Sequence, residues 1–583
     1  MRPRGESIHS LIEKNRSETP LLPNMPHSRQ EFASSFLSTY IGVKINYNYK
    51  LWIPLMAANL TILDWTIFFG YFLLIALTGW FFSRRKVNNT DDFFLGGNTM
   101  PIWLVAISVL ATAQSAATFL GGPDQGYRAD LSYLATNIGT VLAAVFVAKF
   151  LIPKFYQYKV TTVYELLEVR FGEKAKKQAG AMYLFGRIFA SGARLYMAAI
   201  AVAMILFGNI AAENVVMSIV ILAAVGLLYS FVGGIRTVIY SDAIQCGVYV
   251  GAAIAVIAYL LSIIPADFGQ IISALESPAN GGPSKLTLLN FNLDFSSSGV
   301  FTFWASITGF VLLSIASFGM DQDMTQRILT CKSAAESAKA MLWSVVLVLP
   351  VVLLFVSIGL LLYIFYQRPD LMGMDQAGHV VQSFDGEKIT IFMTFVLNEM
   401  PSGLRGLVTV GIIAAALSTL NSGLNSMSSV LIQDFYRPWM EAKKRAKSES
   451  HFVNAGRFGM GLAAFGLASM AILSFYWQRY TDMPLLAFAL SVMVFSYSGL
   501  LGVYFNALFT KRGNANSVLF ALIAGFLTTL MFQTYIQDAI AIEWLKFDLA
   551  FPYQLCVATL IAFLICFSGK PEILDSQSEL AES

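Results

Sequence analysis

Long apolar runs, separated by short polar or charged stretches, dominate the chain. A helix needs about 20 residues to cross the hydrocarbon of a bilayer. Thirteen runs are long enough, near 62–82, 102–121, 131–152, 180–207, 214–233, 238–264, 299–319, 341–366, 404–433, 455–476, 484–509, 516–535 and 550–568. Lipid offers no partner to an open strand edge, so each run is predicted to be a helix.

The ninth run carries the most informative polar pattern. From Gly411 it reads Gly-Ile-Ile-Ala-Ala-Ala-Leu-Ser-Thr-Leu-Asn-Ser-Gly-Leu-Asn-Ser-Met-Ser-Ser. Ser418, Ser422, Asn425 and Ser429 recur at four, three and four residues, which puts them on one helix face. Oxygens gathered at that depth serve either close helix packing or a desolvated small cation.

Composition agrees with a membrane protein. Of 583 residues, 56% are apolar and 13% charged, with a mean hydropathy of +0.62, whereas soluble domains are about a quarter charged. The net charge of +3 gives no reason to expect nucleic acid or another acidic partner. Cys246, Cys331, Cys556 and Cys566 show neither metal-ligand spacing nor a disulfide framework. His9, His27, His379 and His451 lie outside the apolar runs, which argues against a histidine metal site in the membrane. No nucleophile and base fall together within the spans, so an enzyme is not expected.

Basic residues set the orientation. Loops 83–101, 153–179, 234–237, 320–340, 434–454 and 510–515 carry twenty Lys and Arg, and the alternate loops carry six. The first set is therefore expected in the cytoplasm. With thirteen spans the chain starts outside and ends inside the cell (inner) membrane. Residues 1–55 show no signal-peptide pattern. They read as a disordered tail or a non-native extension, with Met56 as a candidate natural start.

Five motifs then coincide in order. Asp91-Asp92-Phe93-Phe94-Leu95-Gly96-Gly97 follows the first run, and Ala111-Thr112-Ala113-Gln114-Ser115-Ala116-Ala117-Thr118-Phe119 interrupts the second. Gly233-Gly234-Ile235-Arg236 precedes Ser241-Asp242-Ala243-Ile244-Gln245, Gln322-Asp323-Met324-Thr325-Gln326-Arg327 follows the seventh run, and the serine-rich helix is the ninth. Together they resemble the solute:sodium symporter family, which includes bacterial galactose, proline and sialic acid transporters. The resemblance runs from about 62 to 510. It implies an all-α integral membrane protein with a LeuT-type core of two inverted five-helix repeats and binding sites beside broken helices. Residues 56–101 would be a leading helix and cytoplasmic loop, 102–265 and 299–510 the repeats, 516–568 two trailing helices, and 569–583 a cytoplasmic tail.

The resemblance also implies sodium as the coupling ion. Its main ligands would be backbone carbonyls of Ala111, Gln114 and Ala415 with the hydroxyls of Ser418 and Thr419. A hard cation prefers oxygen ligands, and unwound backbone supplies them without adding charge. A second sodium, present in some members, would fall on Asp242, Ser418, Asn421 and Ser422. An Asp near a cytoplasmic helix end is otherwise a cap or a solvated group.

For the substrate, Ala117-Thr118 stands where galactose symporters have an acidic-amide pair, and the proline-transporter pattern is absent. Ser115, Thr118, Tyr133 and Asn137 match polar or aromatic contacts of the sialic acid subgroup, although Ala113 replaces a threonine. That subgroup has one arginine on the fourth span. Here Arg187 and Arg194 are seven apart on one face, and Arg194 fits the distance to the helix end better. A guanidinium suits a carboxylate in bidentate geometry, and in a membrane it otherwise serves a salt bridge or snorkels. Ser317 and Phe318, beside Ser314, would close the pocket. The expectation is a sodium-coupled importer of a small organic solute, carboxylated like a sialic acid. The alternatives are symport of a neutral sugar or amino acid, or a transporter-like sensor. No obligate protein partner is expected beyond the lipid bilayer.

Overall fold

The computed structural model describes residues 60–83, 89–278, 281–373, 383–384, 387–388, 390–445, 447–477, 485–540 and 546–571. The expectations for residues 1–55 and for a start at Met56 fall outside them. One antiparallel pair, Ser383–Phe384 with Glu387–Lys388, is the only sheet among the described residues; helices and their connections make up the rest.

The principal helices are α1 (Ile62–Ser83), α2 (Ile102–Ala113), α3 (Ala116–Arg128), α4 (Ser132–Phe146), α5 (Glu173–Phe207), α6 (Ala212–Ile263) and α7 (Gly309–Gly319). They continue as α8 (Gln322–Ile328), α9 (Ala334–Gln367), α10 (Leu404–Val430), α11 (Glu449–Trp477), α12 (Leu485–Phe509), α13 (Ala515–Met531) and α14 (Phe551–Ser568). By length and apolarity ten described helices can cross a membrane, or thirteen when three bent pairs each count as one span. That agrees with the thirteen apolar runs.

Breaks in two of the runs bear on the site. The second stops at Ala113, where Gln114 (φ −88°, ψ 130°) and Ser115 (φ −132°, ψ 177°) are extended. Ser115 then caps α3 by accepting from the Ala117 amide at 3.2 Å. The seventh ends at Gly319, and α8 resumes after a bend of 59°.

This second break corrects the sequence reading, which assigned 320–340 to a cytoplasmic loop. Residues 320–331 are all buried. Asp321, Asp323 and Arg327 lower the local hydropathy, but each has an oppositely charged partner inside the protein. Arg327 is fully buried and is not a loop cation.

The expected loop 234–237 is likewise a kink within α6. Gly234 has φ +61°, and a Cβ there would sit 2.5 Å from the Phe93 carbonyl, so only glycine fits. Elsewhere α3 crosses α9 at Gly126 and Gly359, where a Cβ on either would run into the other helix's backbone. Around these elements α6 packs along α10, α9 along α2 and α3, and α5 against α10, α11 and α12.

Candidate functional site

The α2 break leaves backbone oxygens free. The ladder of α2 closes with the Gln114 amide on the Leu110 carbonyl at 3.0 Å. The carbonyls of Ala111 to Ala113 therefore lie past its last rung. Gln114 is buried and its Oε1 has no hydrogen-bond partner. Across from this break α10 packs against α2. It carries Ala415, Ser418 and Thr419, all buried, and Thr419 Oγ1 donates to the Ala415 carbonyl at 3.3 Å.

The polar stripe on α10 has specific partners. Ser418 Oγ donates to Asp242 Oδ1 at 2.8 Å, Ser422 Oγ to Asp323 Oδ2 at 3.1 Å, and Asn425 Oδ1 accepts from Gln326 Nε2 at 2.8 Å. Three successive positions of one helix face thus lie against α6 and α8. Ser429 Oγ is buried without a partner.

Of the expected second-site residues, only Ser418 bonds Asp242. Ser422 reaches Asp323. Asn421 is buried with both amide atoms unpartnered, and its Oδ1 faces Gly226 on the first half of α6. Asp242 is no helix cap: it lies within α6 at 0% exposure, which corrects the solvated reading. Its Oδ2 accepts from Ser108 Oγ at 2.5 Å and from Arg327 Nη2 at 3.1 Å.

Arg327 belongs to a five-member ionic network. Its Nη1 donates to Asp323 Oδ1 at 2.9 Å. Arg187 donates to Asp321 Oδ2 at 3.1 Å and also to Asp323 Oδ2. Tyr497 Oη donates to Asp321 Oδ2 at 2.5 Å. The network holds three carboxylates and two guanidiniums, all buried, so with every group ionised it would sum to −1. An uncompensated buried charge costs several kcal/mol.

Beside the α2 break lies a cavity of about 130 Å³. Every side chain expected at the substrate lines it: Ser115, Thr118, Tyr133, Asn137, Arg187, Arg194, Ser317 and Phe318. The two arginines differ. Arg187 is neutralised by two carboxylates. Arg194 has no carboxylate within ion-pair range among the described residues, and its Nη2 contacts Met493 Sδ at 2.9 Å. Tyr133 stands edge-on to Phe301 with ring centroids 5.2 Å apart, and Ser314 Oγ lies 3.1 Å from Thr140 Oγ1.

Sequence reasoning assigned no role to Ser108, Asp321, Asp323, Arg327 or Tyr497. A signal was present in the group Asp321, Asp323 and Arg327 immediately after an apolar run. Charges that close to a span end read equally well as a solvated loop.

A profile of the sodium:solute symporter family matches residues 93–525. The sodium/sialic acid symporter SiaT of Proteus mirabilis is 26% identical over 472 residues, which cover 80% of this chain and 89% of that protein. The human sodium-coupled monocarboxylate transporter 1 is 26% identical over 469 residues, 80% of this chain and 72% of that one. The fold resembles a substrate-bound, outward-open Na⁺-coupled sialic acid symporter with a TM-score of 0.71 at 23% identity. That match covers 87% of this chain and 97% of the other. The all-helical LeuT-type architecture expected from the sequence is the one found.

Proposed function

The chain belongs to the sodium:solute symporter family, and from that premise we propose that it imports a small carboxylated solute, a sialic acid or related organic anion. The observation that carries this reading is Arg194, a guanidinium at the cavity wall with no carboxylate in ion-pair range among the described residues. A solute carboxylate would complete the pair in bidentate geometry. The N-terminal end of α3, facing the same break, adds the positive end of a helix dipole. Ser115, Thr118, Tyr133, Asn137, Ser317 and Phe318 would orient the rest of the solute. The names of the two relatives, one moving sialic acid and the other monocarboxylates, support the class.

Sodium would bind between the α2 break and α10, on carbonyls of Ala111, Gln114 and Ala415 and hydroxyls of Ser418 and Thr419. Gln114 Oε1, buried without a partner, is a further free oxygen beside that break. A second sodium beside Asp242 and Ser418 would balance the −1 of the ionic network. In this reading 102–265 and 299–510 form the inverted repeats, with one break in each. Cation binding orders α2 and α3, the anion binds beside them, and rocking of one repeat against the other opens the cytoplasmic side. The basic loops face the cytoplasm, so the N-terminus lies outside.

Uptake into proteoliposomes tests this. N-acetylneuraminate and small monocarboxylates are compared with uncharged analogues, with an inward sodium gradient or with potassium alone. Sodium-driven accumulation of the carboxylates is expected. Equal transport of charged and uncharged analogues would remove the role of Arg194.

A further inference from the structure

Asp323 touches both halves of the proposed site. Its Oδ2 accepts from Arg187, which lines the cavity, and from Ser422 Oγ at 3.1 Å on the serine-rich helix. Its Oδ1 accepts from Arg327 Nη1 at 2.9 Å, and Arg327 also holds Asp242 at 3.1 Å. Among the described residues Asp323 alone bonds both arginines of the network. Asp321 meets only Arg187, and Asp242 only Arg327.

We infer that Asp323 is the positioning residue through which a cation beside Asp242 sets the pose of Arg187 at the cavity wall. The inference rests on the proposed cation site and adds a route from it to the solute. Coupling between two sites needs a contiguous element that both ligands bias. A carboxylate has two oxygens and about four acceptor positions. Here donors from three helices share them: Arg187 on α5, Arg327 on α8 and Ser422 on α10. A cation at Asp242 competes with Arg327 for that carboxylate. Arg327 then turns more of its charge on Asp323, whose hold on Arg187 weakens. Buried at 0% exposure, Asp323 passes the change on without solvent screening.

The test uses the full chain in lipid nanodiscs, with Cys556, the half-buried cysteine among four free ones, replaced by Ser. A reporter thiol is introduced by Ser317→Cys at the cavity wall. Its rate of maleimide labelling, and the melting temperature, are measured in sodium and in potassium. In this parent protein sodium is expected to change the labelling rate about fivefold or more, the lower end of typical coupling. With Asp323→Glu, which keeps the charge of the network but moves its oxygens, that change is lost while sodium still raises the melting temperature, a result that a merely structural role would not give. An undiminished sodium effect in Asp323→Glu overturns the inference. If Asp323→Glu shows no cooperative melting, Ser422→Ala, which removes a hydroxyl bond to Asp323, takes its place, with sodium stabilisation again showing that the cation is still held. A reduced labelling effect there supports the inference and an unchanged one overturns it. Sodium that stabilises the parent without moving the reporter rate overturns the inference alone. Sodium that fails to stabilise the parent overturns the cation-site reading and the inference with it.

Discussion

Ser418 donates its hydroxyl to Asp242 at 2.8 Å, joining α10 to α6 where both residues are at 0% exposure. The same hydroxyl is a proposed ligand of both cation positions, so its removal has a specific consequence.

With Ser418→Ala, Asp242 loses a donor and sodium loses a hydroxyl. A hydrogen bond to a charged group is worth about 1.5–3 kcal/mol, so half-saturating sodium is expected to rise roughly 10- to 100-fold. Sodium titration of uptake reads this directly. An unchanged midpoint would take Ser418 out of the cation sites.

Asp242→Asn brings the buried network from −1 to neutral and removes the reason for a second cation there. Two sodium ions with one monoanion carry a net charge of +1; one sodium with one monoanion carries none. At about 100 mV and a tenfold sodium gradient, the first stoichiometry drives roughly 5 kcal/mol and the second roughly 1.4. Uptake by the unmodified protein is expected to respond to an inside-negative valinomycin potential, and uptake by Asp242→Asn is not. A response of equal size in both would place the second cation elsewhere.

The two cavity arginines are expected to fail differently. Arg194→Gln removes the unneutralised charge and should weaken carboxylate uptake at least about tenfold while sparing an uncharged analogue, since charge-assisted bonds are worth about 1.5–3 kcal/mol. Arg187→Gln leaves Asp321 and Asp323 short of a cation. Breaking a buried pair costs about 3–5 kcal/mol, so it should lower the melting temperature and impair both solutes. The reverse pattern would exchange the roles of the two residues.

Lys285, in the segment between α6 and α7, closes the C-terminal end of α3. Its Nζ donates to the carbonyls of Tyr127 and Ala129 at 2.8 Å each and lies 4.3 Å from the Tyr363 ring centre. Burial pushes the amine down to about 8 from an ordinary 10.5, against the pull of the Asp130 carboxylate. Between those values the unfolded chain holds a proton that the folded protein has released, so folding gains as pH rises. The melting-temperature advantage over Lys285→Met is expected to widen from about pH 8 to about pH 10. Narrowing across that window would show that the charged amine is the better-held form.

The sequence by itself determined the thirteen apolar runs and the polar face of α10. Each is a local property: a hydropathy average, a helical spacing. The break near Gln114 was legible only through the family resemblance. Family resemblance and helical position together also supplied eight of the side chains that line the cavity. The tertiary structure alone separated Arg187 from Arg194, because the carboxylates that neutralise Arg187 lie 134 and 136 positions away. It alone carried residues 320–331 from an expected loop into the interior and set Arg327 on Asp242, 85 positions apart. A window along the chain registers each charge as unfavourable in lipid. Only packed helices bring the opposite charges close enough to cancel that cost, and which charge is left uncancelled decides what the cavity can bind.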